Sequence, residues 1–148
     1  MSQSIIRVLN QGAQKTSLQL VKGQCFVLKY FCIGAGGHDP ATGLPVVPDP
    51  TLTELPIPKF TDLKAITSNG GSANIVGPRV IEFNLVLIPG IATGEMSSVG
   101  LYGEITSVAD PADIALVGQT FLHSIANFSL QNKLDSETKT ITLRLNNV

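Results

Sequence analysis

His38 and Asp39 stand side by side after the glycine run "GAGG", a pairing that suits an orienting dyad or half of a metal site. The sequence has one other histidine, His123, inside an apolar stretch with no acidic residue at ligand spacing beside it. A two-histidine, one-carboxylate centre built from His38, Asp39 and His123 would have to form through space. The favoured reading makes His38-Asp39 a surface pair and His123 a satisfied, partly buried side chain.

The glycines suggest a phosphate cradle, but the residues that follow exclude one. A P-loop needs Lys-Ser or Lys-Thr after its last glycine, and a dinucleotide loop must open into a helix. Here Gly36-Gly37 lead to His38-Asp39-Pro40, and Pro40 sends the chain along an extended path. Nucleophilic catalysis is equally unsupported. No G-x-S-x-G elbow is present, and "TSNGGSAN" places its serines in a loop. Cys25 and Cys32, with only Lys22 and Lys29 nearby, fall on opposite faces of one strand and read as two buried thiols. Asp110 and Asp113 fit the first turn of a helix, where carboxylates favour the dipole. With no Trp and two Tyr, a stacking platform for sugars is poorly supplied. The expectation is a non-enzymatic chain without metal or cofactor.

The elements that hold these residues are mostly strands. "GQCFVLKYFCIG" is apolar on both faces and predicts a strand covered on both sides. "RVIEFNLVLIP" alternates Ile81, Phe83, Leu85 and Leu87 against Glu82 and Asn84, a half-buried strand stopped by Pro89. "SIANFSL" and "TKTITLRLNNV" follow, the latter with Ile141, Leu143 and Leu145 inward, and "NKLDSET" between them reads as a hairpin loop. Helical turns are expected at Phe60 to Thr67 and within Asp110 to Ala126, with Pro111 at the first helical position, although "ALVGQTFL" reads as well as a strand and Gly118 weakens a helix there. The resulting architecture is mainly β, an antiparallel β-sandwich or partly open barrel with one or two short helices in a single domain.

Two segments interrupt that pattern. Six of the nine prolines lie between Pro40 and Pro58, so residues 36–58 form an extended arm that cannot join the middle of a sheet. Residues 68–78, "SNGGSANIVGP", read as a flexible loop.

Bulk composition favours a covered surface. Of 148 residues, 43% are apolar and only 14% are charged, against about 25% in ordinary soluble domains. Ten basic and eleven acidic residues leave a net charge of −1. The closest pairing noted among the basic residues, Lys59 with Lys64, does not make a phosphate-binding patch, so nucleic acid is not an expected partner. "MSQSIIRVLNQG" lacks the charged and apolar regions of a secretory leader, and no apolar run approaches a membrane-spanning length. The chain is expected to be made in a cytoplasm and to stay soluble.

Two stretches together resemble the N-terminal domain of bacteriophage tail-collar and tail-fibre proteins. "YFCIGAGGHDP…LTEL", Tyr30 to Leu55, has that family's apolar strand, glycine-rich end and proline-containing connection. "SSVGLYGEI", Ser97 to Ile105, followed by "ALVGQTFLHSIANFSL", is similar to its Gly-Leu-Tyr strand and what comes after it. The resemblance runs from about Lys22 to Asn146. It implies Gly34, Gly36, Gly37, Gly100, Leu101 and Tyr102 as fold-forming positions, with no catalytic residue. Family members commonly head a long fibre, whereas this sequence has no repetitive shaft and a longer proline arm. That departure shifts the expectation to a virion subunit of baseplate, collar or fibre joint, made in the bacterial host. Other tail proteins and further copies in a trimer or ring would be its partners. Leu44, Val46, Val47, Leu52 and Leu55 would be the arm's apolar anchors on a neighbour. The two rival readings are a carbohydrate- or peptide-binding β-domain and a small metal-dependent hydrolase.

Overall fold

In the computed structural model, residues 4–146 are described. The first three residues of the segment read for a leader, and the last two of "TKTITLRLNNV", lie outside them.

Among the described residues, eight strands and one α-helix follow in chain order: β1 (Ser4–Val8), α1 (Asn10–Lys22), β2 (Cys25–Gly34), β3 (Lys64–Ala65), β4 (Ser72–Gly77), β5 (Val80–Leu87), β6 (Gly94–Ser107), β7 (Thr120–Lys133) and β8 (Lys139–Asn146). They make two antiparallel sheets, one ordered β1-β7-β6-β2-β3 and the other β4-β5-β8. The sheets face each other as a sandwich and do not close into a barrel. Phe31, Val99, Leu101, Ala126 and Phe128 of the larger sheet meet Phe83, Leu85, Leu87, Leu143 and Leu145 of the smaller one.

The alternation read in β5 and β8 holds: Phe83, Leu85, Leu87, Leu143 and Leu145 are buried, and Glu82 pairs with Arg144 on the outer side at 2.9 Å. The two-sided cover expected along β2 holds only for part of it, since Val27 and Lys29 in the first half are exposed. Its second half, Phe31 to Gly34, is buried throughout, because a second apolar cluster of Leu9, Cys32, Leu55, Leu122 and Ile125 covers the outer face of the large sheet.

That second cluster corrects the reading of the arm. Residues 36–58 do not project away from the domain; they lie as a strap on its own large sheet. Leu55 is buried in the second cluster and Leu52 packs against it, while Leu44, Val46 and Val47 stay outside. Backbone bonds fix the strap along its length, from Leu130 N–H to Gly43 O at 2.8 Å and Asn10 N–H to Pro50 O at 2.8 Å to Lys59 N–H to Ile33 O at 2.7 Å. Proline supplies no donor, but its carbonyl still accepts, so the strap docks through acceptors and flanking amides.

Four local expectations are also corrected. Residues 68–78 are not a flexible loop: a short 3-10 turn at Ser68–Gly70 leads into β4, which pairs with β5. Phe60 to Thr67 holds the two-residue strand β3 instead of a helical turn. "NKLDSET" is not a hairpin loop, because it carries the chain from β7 in one sheet to β8 in the other. Cys25 is only half-buried, whereas Cys32 is buried, and both are free thiols.

The helix α1 is absent from the sequence-based expectation, and its start explains why. Leu9 precedes it without a side-chain cap, and Gly12 sits in its first turns. Its end is more regular: Gly23, in the left-handed region at φ 65°, donates to Gln19 O while Gln24 donates to Leu18 O. Of the helical stretch read over Asp110 to Ala126 only a 3-10 turn at Pro111–Leu116 forms, with Asp110 accepting from the Ala112 N–H at 2.9 Å, and the rest from Thr120 onward belongs to the strand β7.

Candidate functional site

The glycine run ends β2 where the strap begins, and close packing explains its composition. A Cβ on Gly37 would overlap the Ser97 carbonyl oxygen, and one on Gly34 would stand 2.9 Å from Pro56 O. None of Gly34, Gly36 or Gly37 adopts positive φ, so close approach and not a left-handed turn excludes side chains there. Gly100 is similar, with Leu122 Cδ1 2.9 Å from where its Cβ would be. Leu101 is fully buried and Tyr102 half-buried. Burial raises the Tyr102 hydroxyl above its ordinary pKa, and the Cys32 thiol is pushed up by burial too. A buried thiol raised in this way is a poor nucleophile.

At the strap's first turn, Ser97 Oγ accepts the Gly37 N–H at 2.8 Å and shares a hydrogen bond with His38 Nδ1, also 2.8 Å. A Ser-His contact is the start of a nucleophilic pair, and Ser97 was not singled out from the sequence. Its chemistry stops there. Ser97 is fully buried, and Asp39 is turned away, its Oδ1 accepting the Ala41 N–H at 2.9 Å. Without access for a carbonyl substrate and without an orienting carboxylate, the pair pins the strap. The Asn127 side chain adds a second pin, donating from Nδ2 to Val46 O at 2.9 Å.

His123 is not part of this cluster. It lies on β7 at the level of Leu101 and Tyr102, on the order of 15 Å along the sheet from Ser97 at the rise of a strand. The imagined His38-Asp39-His123 centre is therefore not assembled. Among the described residues, no group of three or more His, Cys, Asp or Glu side chains could hold a metal ion.

The surroundings of His123 also depart from the expected satisfied histidine. Leu101 faces Ser124 while Tyr102 faces Leu122, so His123 is the extra residue of a β-bulge. It is only 4% exposed, and its Nδ1 has no hydrogen-bond partner. Phe26 and Phe121 flank the ring at centroid distances of 5.8 and 6.4 Å. Burial disfavours the imidazolium and lowers the pKa to about 4. The ring is thus a neutral polar group in an apolar setting.

Asp113, the second carboxylate of the 110–113 pair, accepts from Gln24 Nε2 at 3.3 Å, and Lys29 pairs with Glu104 at 2.8 Å. These are structural contacts. Among the described residues, no helix is long and apolar enough to cross a membrane. No protein-family model matches this chain, and no curated protein or solved structure matches it.

Proposed function

We propose that this chain is a structural subunit that works by packing against neighbouring subunits, and that the assembly is a bacteriophage tail, at a baseplate, collar or fibre-attachment position. The packing role is carried by one observation: large aliphatic side chains left outside on well-formed elements. Leu20 and Val21 at the end of α1 are 81% and 82% exposed, and Ile75 on the edge strand β4 is 84% exposed. Covering such a side chain contributes about 1.5–3 kcal/mol. A low charge content leaves little to keep these surfaces apart. Leu44, Val46 and Val47 extend the same character along the outer side of the strap. In this reading the strap is a rigid contact surface and not a free arm.

The tail assignment rests on the resemblance of Tyr30 to Leu55 and Ser97 to Ile105 to the tail-collar family. Further copies of the chain, in a trimer or ring, and other tail proteins would be the partners, and the virion the destination. The reading needs no catalytic residue and no cofactor.

Sedimentation equilibrium tests the packing role. The expected result is a mass that is a multiple of 15.6 kDa, returning to 15.6 kDa in a Leu20→Glu/Val21→Glu variant with unchanged circular dichroism. A wild-type chain that stays at the single-chain mass at every concentration removes the proposal. A double variant that still assembles removes this face from it.

A further inference from the structure

The open side of the sandwich is bordered by two strand edges. Among the described residues, β1 is hydrogen-bonded to β7 alone and β8 to β5 alone, so each keeps one unpaired edge. Both edges border one gap, which widens into cavities of about 680 and 270 Å³. Ser4 lines both cavities, whereas Ile6 and Val8 line only the one that reaches Asn146, and Thr140 lines only the other. β1 and β8 therefore run in the same direction. A single extended segment running the opposite way would be antiparallel to both edges at once. Unpaired N–H and C=O groups along an edge are met by another extended backbone, which makes the gap a strand site and not a general apolar surface.

The two faces of the gap restrict the side chains of such a segment. Ile6, Val8 and Ile141 pack on the core and are still partly exposed, so every second residue would be apolar. Arg7 and Arg144 alternate with those inward residues, are exposed on the outer side, and both line the larger cavity. Arg144 commits its Nε to Glu82 at 2.9 Å, which leaves the rest of its fork of donors. Arg7 has no ion pair among the described residues. Asp49, within electrostatic reach of Arg7, is engaged by the Thr51 N–H at 2.9 Å and hydroxyl at 2.7 Å. Lys139, toward the other end, lies 4.0 Å from Glu137. An acidic side chain between the two arginines would have a cation beside it on each strand. A second copy offering either of these edges would instead set arginine against arginine, which the same rule disfavours.

We propose that the gap between β1 and β8 takes an extended segment of another protein chain, in which apolar residues alternate with acidic ones, running antiparallel to both strands. The paired length is that of β1, five residues. The site is separate from the Leu20 and Val21 surface and from the strap, and it does not depend on the assembly reading.

The test uses two capped peptides of about seven residues, one alternating valine with glutamate and the other valine with lysine. Each is titrated into the isotope-labelled full chain and followed by nuclear magnetic resonance. The glutamate peptide is expected to give saturable shifts at the Ile6, Arg7, Val8, Thr142 and Arg144 amides. It should bind about tenfold tighter than the lysine peptide, as opposite against like charge at two arginines implies. Methylating the valine nitrogens of the glutamate peptide removes backbone donors, keeps the charge, and should abolish binding. Arg7→Glu should shrink the preference about threefold. The three peptides on the wild-type chain decide the matter even where the variant does not fold. Absence of saturable binding, shifts confined to another surface, equal affinity for the glutamate and lysine peptides, or undiminished binding of the methylated peptide overturns the proposal. So does an unchanged preference in Arg7→Glu. Shifts at β1 and β8 on concentrating the chain alone would give the gap to a second copy and overturn it as well.

Discussion

The side-chain amide of Asn127 donates to the carbonyl oxygen of Val46 at 2.9 Å, tying the middle of a proline-rich strap to the centre of the large sheet. Asn127 is buried on β7, and Val46 is eighty-one positions earlier in the chain. A long connection thereby becomes part of the domain's surface.

Asn127→Ala should loosen the strap before it unfolds the sandwich. It leaves a carbonyl without its donor, at a cost of about 1–3 kcal/mol. Hydrogen exchange should quicken at the Leu130 amide, which donates to Gly43 O, and at the Asn10 amide, which donates to Pro50 O. Unchanged exchange at both amides would show that the strap is held elsewhere.

Gly37→Ala should be far more harmful than Gly36→Ala. A Cβ at Gly37 overlaps the Ser97 carbonyl and stands 2.6 Å from Asn127 Oδ1, whereas at Gly36 the nearest atom is Pro56 Cβ at 3.2 Å. Overpacking against backbone costs about 1–3 kcal/mol or more. Thermal denaturation of the two variants compares them directly, and equal melting temperatures would contradict the close-approach account.

Gly12→Ala sets two effects against each other. Alanine is favoured over glycine inside a helix by about 1 kcal/mol. The new Cβ, however, would overlap the His123 carbonyl oxygen, which already accepts the Leu9 N–H at 2.9 Å. Because that oxygen is backbone and cannot rotate away, overpacking of about 1–3 kcal/mol should win. Denaturant unfolding should show net destabilisation for Gly12→Ala but not for Ser17→Ala on the exposed side of the helix. A stabilised Gly12→Ala would mean that α1 shifts freely on β7.

Acid should weaken the fold through His123. Its folded pKa is about 4 against 6.5 for the free side chain, so the unfolded chain takes up the proton first. The contribution is fully present above pH 6.5 and is lost as pH falls toward 4, at about 1.4 kcal/mol per pH unit once the unfolded histidine is protonated. The total is about 3 kcal/mol. Urea unfolding at pH 7 and pH 4.5 should show a smaller loss for His123→Phe than for the wild-type chain. An identical loss in both would assign the acid sensitivity to other groups.

Much of the sandwich was legible in the residues. Alternation of Phe83, Leu85 and Leu87 with Glu82 and Asn84, and of Leu143 and Leu145 with Thr142 and Arg144, states that one face is buried. The Asp110-Pro111 start was readable for the same reason, since a cap and its amide lie two residues apart. The helix α1 was not legible: it has no side-chain cap, and its contact with the sheet is a glycine against a carbonyl. Nor was the bulge at His123, because an extra residue shows only when two strands are laid in register.

The sequence by itself determined that β2, β5, β7 and β8 are strands, which faces of β5 and β8 turn inward, and that residues 36–58 cannot enter the middle of a sheet. Only the tertiary structure decided that those residues lie on their own domain, that "NKLDSET" joins two sheets, and that His38 and His123 stand apart. Side-chain period and proline chemistry act over a few neighbouring residues and are written locally. The partner of a strand, or the seat of a strap, is chosen by burial and hydrogen bonds between residues tens of positions apart, which no local pattern specifies.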